Sequence, residues 1–191
     1  MQPLLLCIRF TAIFVALVLV LAKPTTGLAD EKIKDVSPDG QFAMSVEDRG
    51  EGDVTTSLVE AKTHKLLLKL DDMGHPYCDA ARLVWSPDSK RFAFQRQDRR
   101  GDHTDIYIRK GADFEQVELP DIPQCNHPGL EGYIIDEATP KNWAKPDTLV
   151  LSAHSEWSSK DGKAHECDRT VAIVVNSSGK ASIQSVHEKK K

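Results

Sequence analysis

The sequence predicts an all-β chain built from three four-stranded antiparallel modules, and three observations carry that prediction. A turn phrase recurs: VSPDGQFAMS at Val36–Ser45, WSPDSKRFAF at Trp85–Phe94 and AKPDTLVLSA at Ala144–Ala153. Apolar alternation resumes directly after each copy, at Phe42, Met44 and Val46, at Phe92 and Phe94, and at Leu149 and Leu151. A period of two following a turn marks a half-buried strand. No segment shows a convincing helical period.

Each element follows from local chemistry. In the SPDG phrase, proline sets φ near −65°, suits the second place of a tight turn and cannot donate to a strand ladder. Asp and Gly tolerate the turn conformations that come next. One strand therefore precedes each turn and another follows it. The segments Val54–Leu70, Thr104–Leu119 and Thr170–Val186 then read as strand, polar turn, strand, with turns at Ala61–His64, Lys110–Asp113 and Asn176–Gly179. The copies begin at Val36, Trp85 and Ala144, 49 and 59 residues apart. Repeats of ~40–50 residues with four strands each are the signature of propeller blades. The modules run roughly over 32–71, 79–120 and 140–187, inside a domain spanning 30–191. Propellers close with about four to eight blades. Three blades imply an open arc or a partial propeller, unless a second chain completes it. Open sheet edges are normally covered or paired, so self-association or another protein is the expected partner.

The same residues resemble a known family. SPDSKRFAF followed by TDIYIRKGADFEQVEL is similar to the TolB-type propeller repeat, whose pattern is an SPDG turn, an apolar strand, then DIY and a glycine-containing hairpin. The resemblance covers Arg82–Leu119 best and Ile33–Leu70 less closely. It is weak over Lys141–Val186, where Lys145 replaces the serine and the glycine is missing. It implies a scaffold rather than a reaction: such repeats occur in binding proteins, in envelope complexes and beside peptidase domains.

The first 29 residues read as a secretory signal peptide. Arg9 precedes an uncharged, mostly apolar run from Phe10 to Ala22, and Gly27-Leu28-Ala29 offers small residues for cleavage after Ala29. Thirteen residues fall short of the ~20 that span a bilayer, and Cys7 stands outside any lipobox. The expected location is therefore periplasmic or secreted, with membrane contact only through export. Of the 25 basic side chains only Arg9 and Lys23 lie in this segment, which has no acidic residue; the rest sets 23 Lys and Arg against 29 Asp and Glu. That acidic balance argues against nucleic acid, whose phosphates demand clustered cations.

The repeat places Cys78, Cys125 and Cys167 in connections on one face of the modules. His75, His127 and His165 lie beside them, and His103 belongs to the same face. An exported chain meets oxidising conditions, so two of these cysteines are expected to form a disulfide. Cys125–Cys167 would pin two long loops of one module, and Cys78–Cys125 would tie neighbouring connections. The competing reading is a zinc or copper site using His75, Cys78, Cys125, His127, His165 and Cys167, although the spacing fits no compact finger. The loops Glu47–Asp53 and Gly101–Asp105 are acidic and carry Asp102 and Asp105, without the EF-hand pattern. Arg100-Gly101-Asp102 spells an adhesion tripeptide at chance level. Trp85 and Trp143 precede the turns and are expected in the core; Trp157 is the candidate exposed aromatic.

No GxSxG elbow, HExxH, P-loop or strand-bound GxGxxG is present. The expected role is non-catalytic binding without a cofactor, through His75, His103, His127, His165, Trp157, Asp102 and Asp105. The alternatives are a metal-binding envelope protein, a metal-dependent hydrolase, and a structural component that pairs through its sheet edges.

Overall fold

The computed structural model describes residues 30–51, 53–71, 80–98, 101–126 and 130–189. The predicted leader with Cys7, and His75, Cys78, Arg100 and His127, lie outside these residues.

The described residues form three four-stranded antiparallel sheets and no α-helix. The first sheet contains β1 (Asp30–Lys34), β2 (Phe42–Asp48), β3 (Val54–Glu60) and β4 (Leu66–Asp71), ordered as in the chain. The second contains β5 (Arg82–Trp85), β6 (Arg91–Asp98), β7 (Gly101–Lys110) and β8 (Asp113–Val117). The third contains β9 (Leu130–Lys145), β10 (Thr148–Ser159), β11 (Ala164–Val175) and β12 (Ala181–Glu188). The sheets are propeller-like and are not closed into a barrel, consistent with an open arc.

The repeated phrase is a hydrogen-bond device. In the first copy the Ser37 hydroxyl donates to Asp39 Oδ1 at 2.6 Å and accepts from the Phe42 amide at 3.0 Å. Asp39 Oδ1 also accepts from the Gln41 amide at 3.1 Å. The second copy repeats this: Ser86 donates to Asp88 Oδ1 at 2.7 Å, the Arg91 amide donates to Ser86 Oγ at 2.9 Å, and the Lys90 amide donates to Asp88 Oδ1 at 3.1 Å. The fourth place needs a left-handed backbone, taken by Gly40 at φ 69° and by Ser89 at φ 56°. Glycine adopts it freely, whereas a serine there is strained. The third copy has Lys145 in the serine position, so this hydroxyl bridge cannot form. β9 and β10 instead meet at Pro146-Asp147, where the Asp147 carbonyl accepts from the Val175 amide at 2.8 Å.

Two sequence expectations need correction here. β9 begins at Leu130, ten residues before the expected start of the third module; Ile134 and Ile135 are β-branched, favour extended backbone and pair with Trp157 and Glu156 at the far end of β10. Pro140 is accommodated within it because β9 is an edge strand and its ladder shifts register there. Gly101–Asp105, expected as a loop, is the first half of β7, in register with β6 from Asp98↔Gly101 onward.

The second sheet is covered on both faces. Phe92, Phe94, Tyr107 and Phe114 pack with Phe42, Met44 and Leu58 of the first sheet. Ala93, Ile106, Ile108 and Val117 pack with Trp143, Leu149, Leu151, Val171, Ile173 and Val175 of the third. Side-chain to backbone hydrogen bonds then fix the spacing. Asp35, at φ 53°, takes the Leu83 amide on Oδ2 and the Trp85 indole on its carbonyl, both at 2.7 Å. Trp143 Nε1 donates to the Val84 carbonyl at 2.9 Å, Thr104 to Ala138 at 2.6 Å, and Arg82 to Pro140 at 2.6 Å.

Candidate functional site

The seam between the second and third sheets opens into a cleft of about 330 Å³. Leu119, Ile122, Ala138 and Ala153 give it apolar walls; Arg96, His103, Asp105, Asp136, Glu137 and Arg169 supply the charged and titratable lining. Two of the apolar residues at this end of the seam, Ala138 and Ala153, are small. Where Leu149, Leu151, Val171 and Ile173 fill the space between the sheets, Ala138 and Ala153 do not reach across.

The polar lining is largely paired within the protein. Arg96 Nε donates to Asp105 Oδ2 at 3.0 Å, and Gln116 donates to Asp105 Oδ1 at 3.1 Å. Gln124 reaches Asp136 Oδ2 at 3.3 Å. Arg169 is 4% exposed; its guanidinium donates to the Pro123 carbonyl and, at 2.6 Å, to Ser155 Oγ. Ser155 donates in turn to Asp136, whose carboxylate lies 3.9 Å from the guanidinium. A buried guanidinium tied to a carbonyl, a hydroxyl and a carboxylate holds the connection at Pro123 against β10 and β11. Removing one member of such a group is strongly destabilising.

Gly101 has a positional reason. Its φ is 124°, and an added Cβ would lie 2.6 Å from Cγ of Glu137. A side chain there would displace the Glu137 carboxylate from the cleft wall.

Beside the cleft, Cys125 and Cys167 form a disulfide with Cα atoms 6.5 Å apart, spanning 42 residues. The pairing is one of the two the sequence suggested, but Cys167 lies within β11 and not in a loop, so the bond pins the connection at Cys125 to a strand. Both sulfurs are committed, so Cys125 and Cys167 have no thiolate for the zinc or copper site considered above; of its ligands, only His165 remains among the described residues. A buried disulfide suits an oxidising environment.

Trp157 is not the exposed aromatic expected from its neighbours. It is 7% exposed, packs with the disulfide and Leu130, and stacks on His165 with ring centres 5.3 Å apart. His165 also shares a 2.9 Å hydrogen bond with Ser159 Oγ. Trp85 and Trp143 pack at the two seams, as expected. Of the other candidate residues, His103 and Asp105 line the cleft, while Asp102, also on β7, accepts from Gln95 of β6 at 3.0 Å.

Sequence reasoning passed over Arg96, Asp136, Glu137 and Arg169. Arg169 left a readable signal, because it alternates in phase with Cys167, Val171, Ile173 and Val175, all of them buried. An arginine on the apolar phase of a strand must find internal partners. Asp136 and Glu137 were hidden because Pro120, Pro123, Pro128 and Gly129 made that stretch read as connection. No protein-family model matches the chain, and no curated protein matches it.

Proposed function

We propose that the chain is an exported, non-catalytic binding module of TolB-type repeats, and that the cleft between the second and third sheets is its contact site. The observation that carries this reading is the cleft's construction: apolar walls bordered by the carboxylates of Asp105, Asp136 and Glu137 and braced by a disulfide. Most of its charges are already paired, so the lining is pre-organised. That suits recognition, because less ordering free energy is lost on binding. The ligand class it fits is a protein segment presenting an apolar side chain next to a lysine or arginine. The matching serine–aspartate networks at Ser37/Asp39 and Ser86/Asp88 support the repeat assignment. The disulfide and the sequence of the first 29 residues support export.

Selection of phage-displayed random peptides on the oxidised protein tests the proposal. Enriched peptides should pair an apolar residue with a basic one. They should bind Ala138→Leu, which fills the cleft, at least tenfold more weakly by fluorescence polarisation. Absence of enrichment over a disulfide-matched control, or undiminished binding to Ala138→Leu, would remove the cleft as the site.

A further inference from the structure

The third sheet carries a second constellation, on the face away from the disulfide. Across the β10–β11 ladder His154 stands opposite Asp168, and Glu156 stands opposite Glu166. These four alternate with Ser155, Trp157, Cys167 and Arg169, which are buried on the other side. Period-two geometry thus gathers one imidazole and three carboxylates on a patch carried by paired backbone.

The histidine has two distinct contacts. Its Nδ1 lies 2.8 Å from Asp168 Oδ1, and its Nε2 lies 3.0 Å from Glu156 Oε1. One ligand atom each from His154, Glu156 and Glu166 lies within 4.8 Å of the other two. An ion arriving at Nε2 takes the place of the proton shared there with Glu156, which passes to solvent, while Asp168 goes on accepting from Nδ1–H. That is the second-contact arrangement that orients metal-ligating histidines. Nitrogen and oxygen atoms about 3 Å apart can both touch an ion that takes its ligands at about 2.0–2.2 Å.

We infer that His154, Glu156 and Glu166 form a site for one divalent transition-metal ion, zinc foremost, with Asp168 as the positioning residue for the histidine. Charge agrees with the assignment: a neutral imidazole and two carboxylates balance a dication. Donor type narrows the ion. The imidazole disfavours calcium and magnesium, and with no thiolate in the set copper(I) is a poor fit. Glu156 and Glu166 are exposed, which leaves the remaining coordination positions open to solvent. The site is independent of the cleft, and neither proposal depends on the other.

Titration calorimetry of the full exported protein with zinc chloride, in a non-coordinating buffer, tests it. The wild type should take up about one equivalent at this patch. His154→Ala should lose that equivalent, Glu166→Gln should weaken it at least tenfold, and Asp168→Asn should weaken it on the order of 10–100-fold with stoichiometry unchanged. Glu166→Gln alters an exposed strand position, so it stays informative if His154→Ala folds poorly. Cobalt(II) gives a second readout, since its visible bands in the wild type should weaken in Glu166→Gln. Wild-type zinc affinity in both His154→Ala and Glu166→Gln, or no zinc uptake by the wild type, would overturn the assignment.

Discussion

The first and second sheets meet through rings, whereas the second and third meet through branched aliphatic side chains. In the first seam Phe42, Trp85, Phe92, Tyr107 and Phe114 touch one another with centroids 4.7 to 6.0 Å apart, in stacked, tilted and edge-on arrangements. The Arg109 guanidinium covers the Phe42 ring at 4.8 Å, so the charge seals the seam instead of opening it. In the second seam Leu149, Leu151, Val171, Ile173 and Val175 interdigitate with Ile106 and Ile108. Packing there gives way to Ala138, Ala153 and a polar network at one end. Phe42 and its ring partners fill the first seam, whereas Ala138 and Ala153 leave room in the second. A cleft therefore forms in the second seam, and the disulfide and Arg169 brace it where apolar contact stops.

The largest expected effect comes from emptying the aromatic seam. Phe92 is fully buried and touches Trp85, Tyr107 and Phe114. Phe92→Ala should cost about 3–5 kcal/mol in denaturant unfolding. Hydrogen exchange should show protection lost first across β2 and β3, with β10 and β11 retained. Equal loss in the third sheet would mean that the two seams are one cooperative unit and that the contrast between them has no energetic meaning.

Next in size is the brace of the other seam. Replacing Cys125 and Cys167 by serine frees a 42-residue closure and should cost roughly 3 kcal/mol. The loss should concentrate in β9–β11 and around Trp157, whose fluorescence should change, while the aromatic seam stays protected. Peptides selected on the wild-type cleft should also bind this variant more weakly. A double-serine protein with wild-type stability and unchanged peptide binding would show that Arg169 and its partners hold the cleft by themselves.

The three-sheet plan was legible because its cause is local. Ser37 and Ser86 bond to residues two and five positions away, so the motif and its geometry lie in one short stretch. The hairpin turns at Ala61–His64, Lys110–Asp113 and Asn176–Gly179 were readable for the same reason. The cleft was not, because its parts converge from β6, β7, β9, β10, β11 and a connection, and no spacing in the chain encodes that meeting. Trp157 shows the limit most plainly. Its flanks, Glu156 and Ser158, are polar, yet strand alternation points the indole at the disulfide between residues remote from it in sequence. The patch at His154 was missed for a related reason: Asp168 and Glu166 belong to the next strand, and only register brings them opposite.

The smallest effect is the most specific probe of the aromatic seam. Tyr107 is buried against Phe92, and burial, with the Asp105 carboxylate adding to it, pushes its phenol up from 10.0 to about 12. A group whose folded-state value is raised stabilises the fold fully below its unfolded value. Here that contribution is intact below pH 10 and is lost as pH rises toward 12, because the unfolded phenol ionises first. The displacement corresponds to on the order of 2 kcal/mol. Lysines titrate in the same range, so the wild-type curve alone is ambiguous, and the difference from Tyr107→Phe isolates the phenol. Denaturant unfolding of both proteins from pH 8 to 12 should give curves that run parallel to about pH 10 and then separate, the phenylalanine variant keeping the stability the wild type loses. Curves that stay parallel throughout would mean that water reaches the phenolate, and that the seam between the first two sheets is less sealed than its rings imply.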